Sequence, residues 1–330
     1  MTGYLSGCCI QNVCKLPYSV RINFGEECWV REEIVNFYSE GAKLQGLLRL
    51  PDQGTGPWPG IVQGPGWLGL HDAKLYKRYH QSFTDAGFAV LIFDYRGFGD
   101  SEGERGLILP LWQADDIRNG ITYMQTRSEV DPNRIGLFGS GGTGGAIPIY
   151  VAAVDRRVKC VVSNYAFASG KEWLRSMRRE YEWLNLLERL DNDRKKRVIE
   201  GKGEMVRPRD ELMIVTPERQ QTAVKKDVDA RIPELVPLRC AEAIMEFSPE
   251  KYVSSISPTA ILFISTERDA VTPEDQTFQL YEKAGQPKKL ILQKETSHYK
   301  AYDQYFDEVT PQIIEWYNTY LTYRKVEAWK

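Results

Sequence analysis

Histidine is scarce in this chain, which has three among its 330 residues: His71, His80 and His298. An enzyme of this sequence that works through an imidazole base must therefore use one of these three residues. Basic residues are not in excess either, because 43 Lys and Arg stand against 45 Asp and Glu. That balance argues against nucleic-acid binding as the main role, so we expect no nucleic-acid partner.

Long apolar runs and a secretory leader are also missing. Mean hydropathy is −0.43 and no window of about 18 apolar residues is present, so we expect neither a membrane span nor a membrane partner. The first residues lack the basic and apolar regions of a secretory signal, so we expect a cytoplasmic protein. The composition is otherwise typical of a globular chain, with 42% hydrophobic and 27% charged residues.

Cysteine is unevenly placed. Four of the six cysteines fall in the first 28 residues, at Cys8, Cys9, Cys14 and Cys28. No histidine and no paired CxxC spacing accompanies them, so the pattern does not predict a metal site. We expect reduced thiols in an N-terminal extension over residues 1–30.

Strand and helix patterns alternate along most of the chain. Apolar runs such as "FAVLIFDY" (88–95), "RIGLFG" (134–139) and "TAILFIST" (259–266) are typical of buried parallel strands, and helical patterns separate them. The sequence therefore predicts an α/β fold with a doubly wound, mostly parallel sheet. In such sheets ligands bind beyond the carboxyl ends of the strands.

The alternation stops once. Charged residues make up nearly half of 171–234, and apolar residues recur there at helical spacing. That stripe consists of Trp173, Met177, Tyr181, Leu184 and Leu187. We therefore predict a core formed by residues 1–169 and 251–330, and a helical cap formed by residues 170–250.

An acid and a base follow successive strands near the end of the chain. Asp269 comes directly after "ILFISTER", and His298 follows the strand "KKLILQK". Because both lie at carboxyl ends of strands, the carboxylate can orient the imidazole, as in the acid–base pair of a catalytic triad.

The third member of a triad is missing from its expected place. The nucleophile of such enzymes lies on a sharp strand-to-helix turn of pattern G-x-S-x-G. Here the strand runs into Gly139-Ser-Gly-Gly-Thr-Gly-Gly145, so the nucleophile position is 141 and holds glycine. Ser140 and Thr143 flank that position.

Five motifs in order make the chain resemble the α/β-hydrolase superfamily. They are "PGIVQGPGWLG" (59–69), "FDYRGFGDSEG" (93–103), "RIGLFGSGGTGG" (134–145), "ISTERDAVTP" (264–273) and "TSHY" (296–299). The resemblance is to capped ester and amide hydrolases near dienelactone hydrolases, acetyl xylan esterases and X-prolyl dipeptidyl peptidases, and it covers roughly residues 30–325 apart from the insertion.

The resemblance implies a role for each matching residue. Gly141 matches the nucleophile, Asp269 the acid and His298 the base, while the backbone N–H groups of Gly142 and Trp67 match the oxyanion-hole donors. It implies hydrolysis of a carboxylic ester or amide of a small organic substrate, with no metal and no cofactor. Phe167, Trp173, Tyr181 and Trp183 are the aromatic residues that we expect the cap to place around this substrate. The sequence leaves the substrate's identity and a homodimer open.

Three interpretations of Gly141 compete. The residue is an engineered replacement of Ser or Cys, or a natural loss that leaves His298 as a general base on water or substrate, or a change for which Ser140 or Thr143 compensates. A C–C bond hydrolase or lyase that needs only the base and the oxyanion site is the alternative enzyme. A non-catalytic binding or scaffold protein on a hydrolase fold is the alternative outside enzymes. If the site is a disarmed serine hydrolase, Gly141→Ser should restore covalent chemistry.

Overall fold

A twisted eight-stranded sheet forms the centre of the molecule. The structure, a computed structural model, describes residues 31–213, 216 and 229–321. The sheet has the order β1-β2-β4-β3-β5-β6-β9-β10. β2 is antiparallel to both neighbours and every other pair is parallel. Its strands are β1 (Arg31–Ser39), β2 (Ala42–Leu50), β3 (Trp58–Gln63), β4 (Ala89–Phe93), β5 (Val130–Gly141), β6 (Val158–Ala166), β9 (Ala260–Thr266) and β10 (Lys288–Gln293).

Helices cover both faces of the sheet, which explains why its central strands β4 and β9 are buried and largely apolar. Every residue of β4 and of β9 is buried, as expected for strands that have no solvent face. The helices of the described core are α1 (Lys74–Asp85), α2 (Pro110–Thr126), α3 (Gly142–Val154), α7 (Glu274–Lys283), α8 (Ala301–Gln304) and α9 (Phe306–Leu321). α1 and α9 pack together on one face, and α2 and α3 pack together on the other.

The parallel strands direct their carboxyl ends to one edge of the sheet. The loops after β3, β5, β9 and β10 therefore meet at this edge, where a doubly wound sheet binds its ligands. β1 and β2 form a hairpin with its turn between Ser39 and Ala42. Two helices follow β10, since α8 ends at Gln304 and α9 begins at Phe306.

The predicted insertion leaves the sheet directly after β6. It contains α4 (Gly170–Ser176), α5 (Glu180–Glu200), the short paired strands β7 (Met205–Val206) and β8 (Val236–Pro237), and α6 (Arg239–Glu246). Ser169 caps α4 by accepting a hydrogen bond from the Glu172 N–H at 3.4 Å. Buried apolar residues of these elements belong to one cluster with the core beneath α2 and α3. The insertion therefore packs onto the sheet domain, and its separation as a cap over 170–250 stays a prediction.

Two cysteines lie among the described residues. Cys160 and Cys240 are buried free thiols, whereas the four cysteines of the N-terminal extension lie outside the described residues. Among the residues that the structure describes, no helix combines the length and the apolar character that crossing a membrane requires.

Candidate active site

The turn from β5 into α3 is built almost entirely of glycine. Gly141 has φ +74° and ψ 125°, and Gly142 follows with φ +39°. Side chains other than hydrogen are strained in this part of conformational space. Gly144 serves a different purpose, since a Cβ there would lie 2.7 Å from the Gly66 Cα and prevent the helix from approaching the loop after β3.

Asp269 and His298 form a buried hydrogen-bonded pair at the same edge of the sheet. His298 Nδ1 lies 2.6 Å from Asp269 Oδ2. The other carboxylate oxygen accepts the backbone N–H groups of Val271 at 2.7 Å and Thr272 at 2.9 Å. Both carboxylate oxygens are thus engaged, so the acid cannot rotate freely and the imidazole is held with Nδ1 toward the acid and Nε2 on the opposite side of the ring.

A cavity of about 100 Å³ connects this pair to the glycine turn. Its walls come from the loops after β3, β9 and β10, the start of α1 and the glycine turn. The insertion contributes the residue that follows a short π-helical segment, Pro208–Leu212. The lining residues are Gly66, Trp67, Leu75, Tyr76, Ser140, Gly141, Gly142, Met213, Val271, His298, Tyr299 and Tyr302. A larger depression, of about 510 Å³, lies along α5 but is lined mainly by charged side chains and contains neither His298 nor Gly141.

The structure brings most of the sequence-predicted site residues to this cavity. Gly141, Gly142, Trp67 and His298 line it, and Asp269 lies behind His298. The Trp67 indole N–H is buried and makes no hydrogen bond within the described part of the chain.

Two of the predicted aromatic residues support the cavity wall. Trp173 is fully buried, stacks on Phe167 with ring centroids 4.8 Å apart, and meets Trp67 edge-on at 5.9 Å. Its indole N–H donates to the Val271 carbonyl at 2.8 Å. Trp173 therefore joins the loop after β3 to the loop that carries the acid.

Phe167 and Trp173 do not themselves line the cavity, and neither do Tyr181 and Trp183, the other two predicted aromatic residues. Tyr181 is 57% exposed, whereas Trp183 is buried in the apolar cluster beneath α5. The predicted stripe assumed one helix from Trp173 onward. The structure ends α4 at Ser176 and begins α5 at Glu180, so the helical register changes and Trp183, not Tyr181, faces inward.

Two tyrosines at the cavity, Tyr76 and Tyr302, escaped the sequence interpretation. Ser140 Oγ lies 2.8 Å from Tyr302 Oη, and Tyr76 Oη accepts the Gly66 N–H at 2.8 Å. Burial raises the pKa of Tyr76 to about 12 and that of Tyr302 well above its usual value. Both phenols are therefore protonated near neutral pH.

His71 forms a second buried pair with an aspartate. Its backbone N–H donates to Asp94 Oδ1 at 2.7 Å, and its Nδ1 lies 2.9 Å from Oδ2. Asp100 completes a group whose potential ligand atoms lie within 4.8 Å of one another. However, the Asp100 N–H also donates to Asp94 Oδ2 at 3.0 Å, and the Asp100 carboxylate pairs with Arg231. These contacts occupy the oxygens that a cation would need, so we infer no metal site from this group.

His80 is buried in a polar network on α1. Its Nδ1 lies 2.7 Å from Arg49 Nη1 and its Nε2 lies 2.6 Å from Gln63 Oε1. Because the guanidinium can only donate, Nδ1 accepts and the Nε2 N–H donates to the Gln63 amide oxygen. Burial, with the charge of Arg49, holds the pKa of His80 well below its usual value, so this residue is a neutral structural histidine.

Comparison with known proteins places this geometry in context. A family model for the X-Pro dipeptidyl-peptidase (S15) family matches residues 40–300. The "Uncharacterized 31.7 kDa protein in traX-finO intergenic region" of Escherichia coli is 30% identical over 288 residues, which cover 86% of this chain and 97% of that protein. Thiohydrolase apmlB of Arthrinium phaeospermum is 37% identical over 125 residues, 38% of this chain and 39% of that protein.

Similarity in structure extends over most of the chain. The α/β hydrolase GrgF from Penicillium sp. sh18 superposes with a TM-score of 0.73 at 20% identity, covering 88% of this chain and 99% of that one. This likeness and the sheet order confirm the predicted α/β-hydrolase fold.

Proposed function

Because this chain belongs to the X-Pro dipeptidyl-peptidase (S15) family and is a hydrolase, we propose that it hydrolyses a carboxylic ester or amide of a small organic substrate at the cavity beside His298. The observation that carries the proposal is the 2.6 Å pair of His298 and Asp269 at a cavity that Gly141 and Gly142 also line. The similarity to a thiohydrolase supports acyl transfer to water as the reaction class.

The identity of residue 141 decides what His298 acts on. Gly141 offers no hydroxyl or thiol, and the hydroxyl of Ser140 is already bonded to Tyr302. The positive φ values of Gly141 and Gly142 suit glycine. We therefore infer that water, rather than a side chain, is the nucleophile.

The proposed steps follow from the positions of these groups. His298 Nε2 takes a proton from a water beside Gly141, and the resulting hydroxide attacks the acyl carbon. The negative oxygen of the tetrahedral intermediate accepts hydrogen bonds from the backbone N–H groups of Gly142 and Trp67. His298 then returns its proton to the leaving group, while Asp269 stabilises the imidazolium.

Cavity size limits the substrate. The cavity of about 100 Å³ is small beside typical ligand pockets, which measure roughly 300–1,000 Å³. Trp67, Leu75, Met213 and Val271 supply apolar surface around it. We therefore expect short acyl chains to be preferred over long ones.

A panel of nitrophenyl esters of increasing acyl length tests the proposal. The unaltered protein should turn over short-chain esters slowly and without a burst, because no acyl-enzyme accumulates. His298→Ala should reduce kcat/KM by about 10³-fold, while the exposed Tyr181→Phe serves as a control without effect. A stoichiometric burst would contradict attack by water. Absence of turnover on every ester and on matching anilides would contradict the hydrolysis itself and favour a binding protein.

A further inference from the structure

Tyr302 borders the space that a nucleophilic side chain would fill. We propose that its hydroxyl is the hydrogen-bond donor that positions the attacking water beside Gly141. The inference deepens the proposed function and rests on it, since the water is the nucleophile proposed above. It assigns a role to a residue that no sequence motif indicated.

Packing fixes the position of the phenol. Tyr302 is 4% exposed and lies in the short helix α8, four residues after His298. Its ring meets the Tyr165 ring edge-on with centroids 5.0 Å apart. The Tyr79 hydroxyl donates to the Tyr302 carbonyl at 3.2 Å. The hydroxyl is therefore held in place before any ligand arrives.

The glycine turn locates the space that the hydroxyl faces. A Cβ placed on Gly141 would lie 3.4 Å from Tyr302 Oη, and no other heavy atom of the described residues beyond its neighbours in the chain comes within 4 Å of it. A serine hydroxyl would lie one bond farther along from this Cβ. Because glycine leaves this volume empty, a water there is within hydrogen-bond reach of the phenol.

The hydrogens can be assigned consistently. Ser140 Oγ, 2.8 Å from Tyr302 Oη, donates to the phenol oxygen, which leaves the phenol hydrogen for the water oxygen. The water in turn donates to His298 Nε2. During attack one water proton moves to His298, the hydroxide oxygen bonds to the acyl carbon, and Tyr302 keeps its proton throughout.

Tyr302→Phe removes this donor while retaining the ring. Tyr305→Phe is the matched control, because it removes a phenol hydroxyl three residues away that bonds the Lys294 backbone and does not line the cavity. Two measurements are needed on full-length protein, with thermal unfolding to confirm that each variant is folded. One is kcat and KM on the best nitrophenyl ester. The other is calorimetric binding of methylphosphonate, a tetrahedral anion whose binding does not require turnover.

We expect Tyr302→Phe to lower kcat about 10-fold with KM nearly unchanged, and to weaken methylphosphonate binding by a similar factor. Tyr305→Phe should change either quantity less than threefold. A Tyr302→Phe protein with kcat and affinity within twofold of the unaltered chain would overturn the inference. An equal loss in Tyr305→Phe would also overturn it, because the effect would then not be specific to the hydroxyl that faces Gly141.

Failure of the proposed function has a different signature. If methylphosphonate binding falls in Tyr302→Phe while the unaltered protein hydrolyses no ester or anilide, the donor assignment holds and the hydrolysis proposal fails. If the unaltered protein hydrolyses esters and Tyr302→Phe keeps kcat and methylphosphonate affinity within twofold, the hydrolysis proposal holds and the donor assignment fails.

Discussion

Two buried aspartate–histidine pairs in this molecule have nearly the same local geometry and different surroundings. His298 and Asp269 are joined at 2.6 Å, and His71 and Asp94 at 2.9 Å. Both histidines are about 5–6% exposed and both follow glycine-rich or strand-end loops. The hydrogen bond alone therefore does not separate a catalytic pair from a structural one.

The difference lies in what else each pair contacts. His298 lines a cavity together with Gly141, whereas His71 is absent from that lining. Asp94 also accepts the backbone N–H groups of His71 and Asp100, so it ties the loop after β3 to the loop after β4. One pair holds a base at an open space, and the other holds two loops together.

The largest effect should come from Asp269→Asn. The amide can accept backbone N–H groups at one end, but at the other its NH₂ faces His298 Nδ1 and stabilises the wrong tautomer. We expect kcat on nitrophenyl esters to fall by about 10³–10⁴-fold, with the protein still folded. Steady-state kinetics and circular dichroism measure the two quantities.

Asp94→Asn is the matched substitution in the other pair and should give the opposite outcome. Three hydrogen bonds converge on this fully buried carboxylate, so its replacement should lower the free energy of unfolding by about 3 kcal/mol. The activity of the molecules that remain folded should stay within threefold. Urea denaturation measures the free energy of unfolding, and enzyme kinetics at urea concentrations below the unfolding transition measure the activity. A 10³-fold loss of activity without a loss of stability would assign chemistry to His71.

Sequence reasoning was effective where a feature is local or follows from the order of strands. The apolar runs predicted β4, β5 and β9. The placement of an acid and a histidine after successive strands predicted that Asp269 and His298 would meet, and they do. In each case the carboxyl edge of a parallel sheet converts order along the chain into proximity in space.

Features that depend on helix packing could not be predicted in this way. The break between Ser176 and Glu180 contains neither proline nor glycine, so the periodicity appeared continuous and pointed to Tyr181. The contact between Ser140 and Tyr302 joins residues 162 positions apart. Nothing in the local sequence of either residue signals this contact.

Gly141→Ser distinguishes the two histidines, because it supplies a hydroxyl beside His298 and not beside His71. The new Cβ has room, with Tyr302 Oη at 3.4 Å, but φ at this position is +74°. We expect the variant to lose about 2 kcal/mol of stability from backbone strain and to react stoichiometrically with a fluorophosphonate probe. The unaltered chain should not react.

A double variant separates the outcomes of that experiment. Gly141→Ser with His298→Ala should label far more slowly, whereas Gly141→Ser with His71→Ala should label at nearly the same rate. Labelling of the unaltered chain at Ser140 or Thr143 would contradict the assignment of position 141. A folded Gly141→Ser protein that stays inert would show that the glycine turn cannot present a hydroxyl to His298.

The smallest effect concerns the pH dependence of stability and distinguishes His71 from His80. Burial lowers the pKa of His71, but the hydrogen bond and charge of Asp94 outweigh it and raise the pKa above the usual value. His71 therefore contributes stability below the unfolded-state pKa of about 6.5, and this contribution is lost as the pH rises through the folded-state value.

The pKa of His80 is lowered, so the unfolded chain binds the extra proton and acidification below about pH 6.5 destabilises the fold. That penalty is at most about 1.4 kcal/mol per pH unit.

In His80→Gln the amide can still accept from Arg49 and donate to Gln63. Its free energy of unfolding should therefore fall by about 1.4 kcal/mol less than that of the unaltered chain between pH 7.5 and pH 5.5. His71→Gln should shift the same difference in the opposite direction. Urea denaturation at the two pH values measures both, and equal pH slopes in all three proteins would contradict the protonation states inferred for these buried histidines.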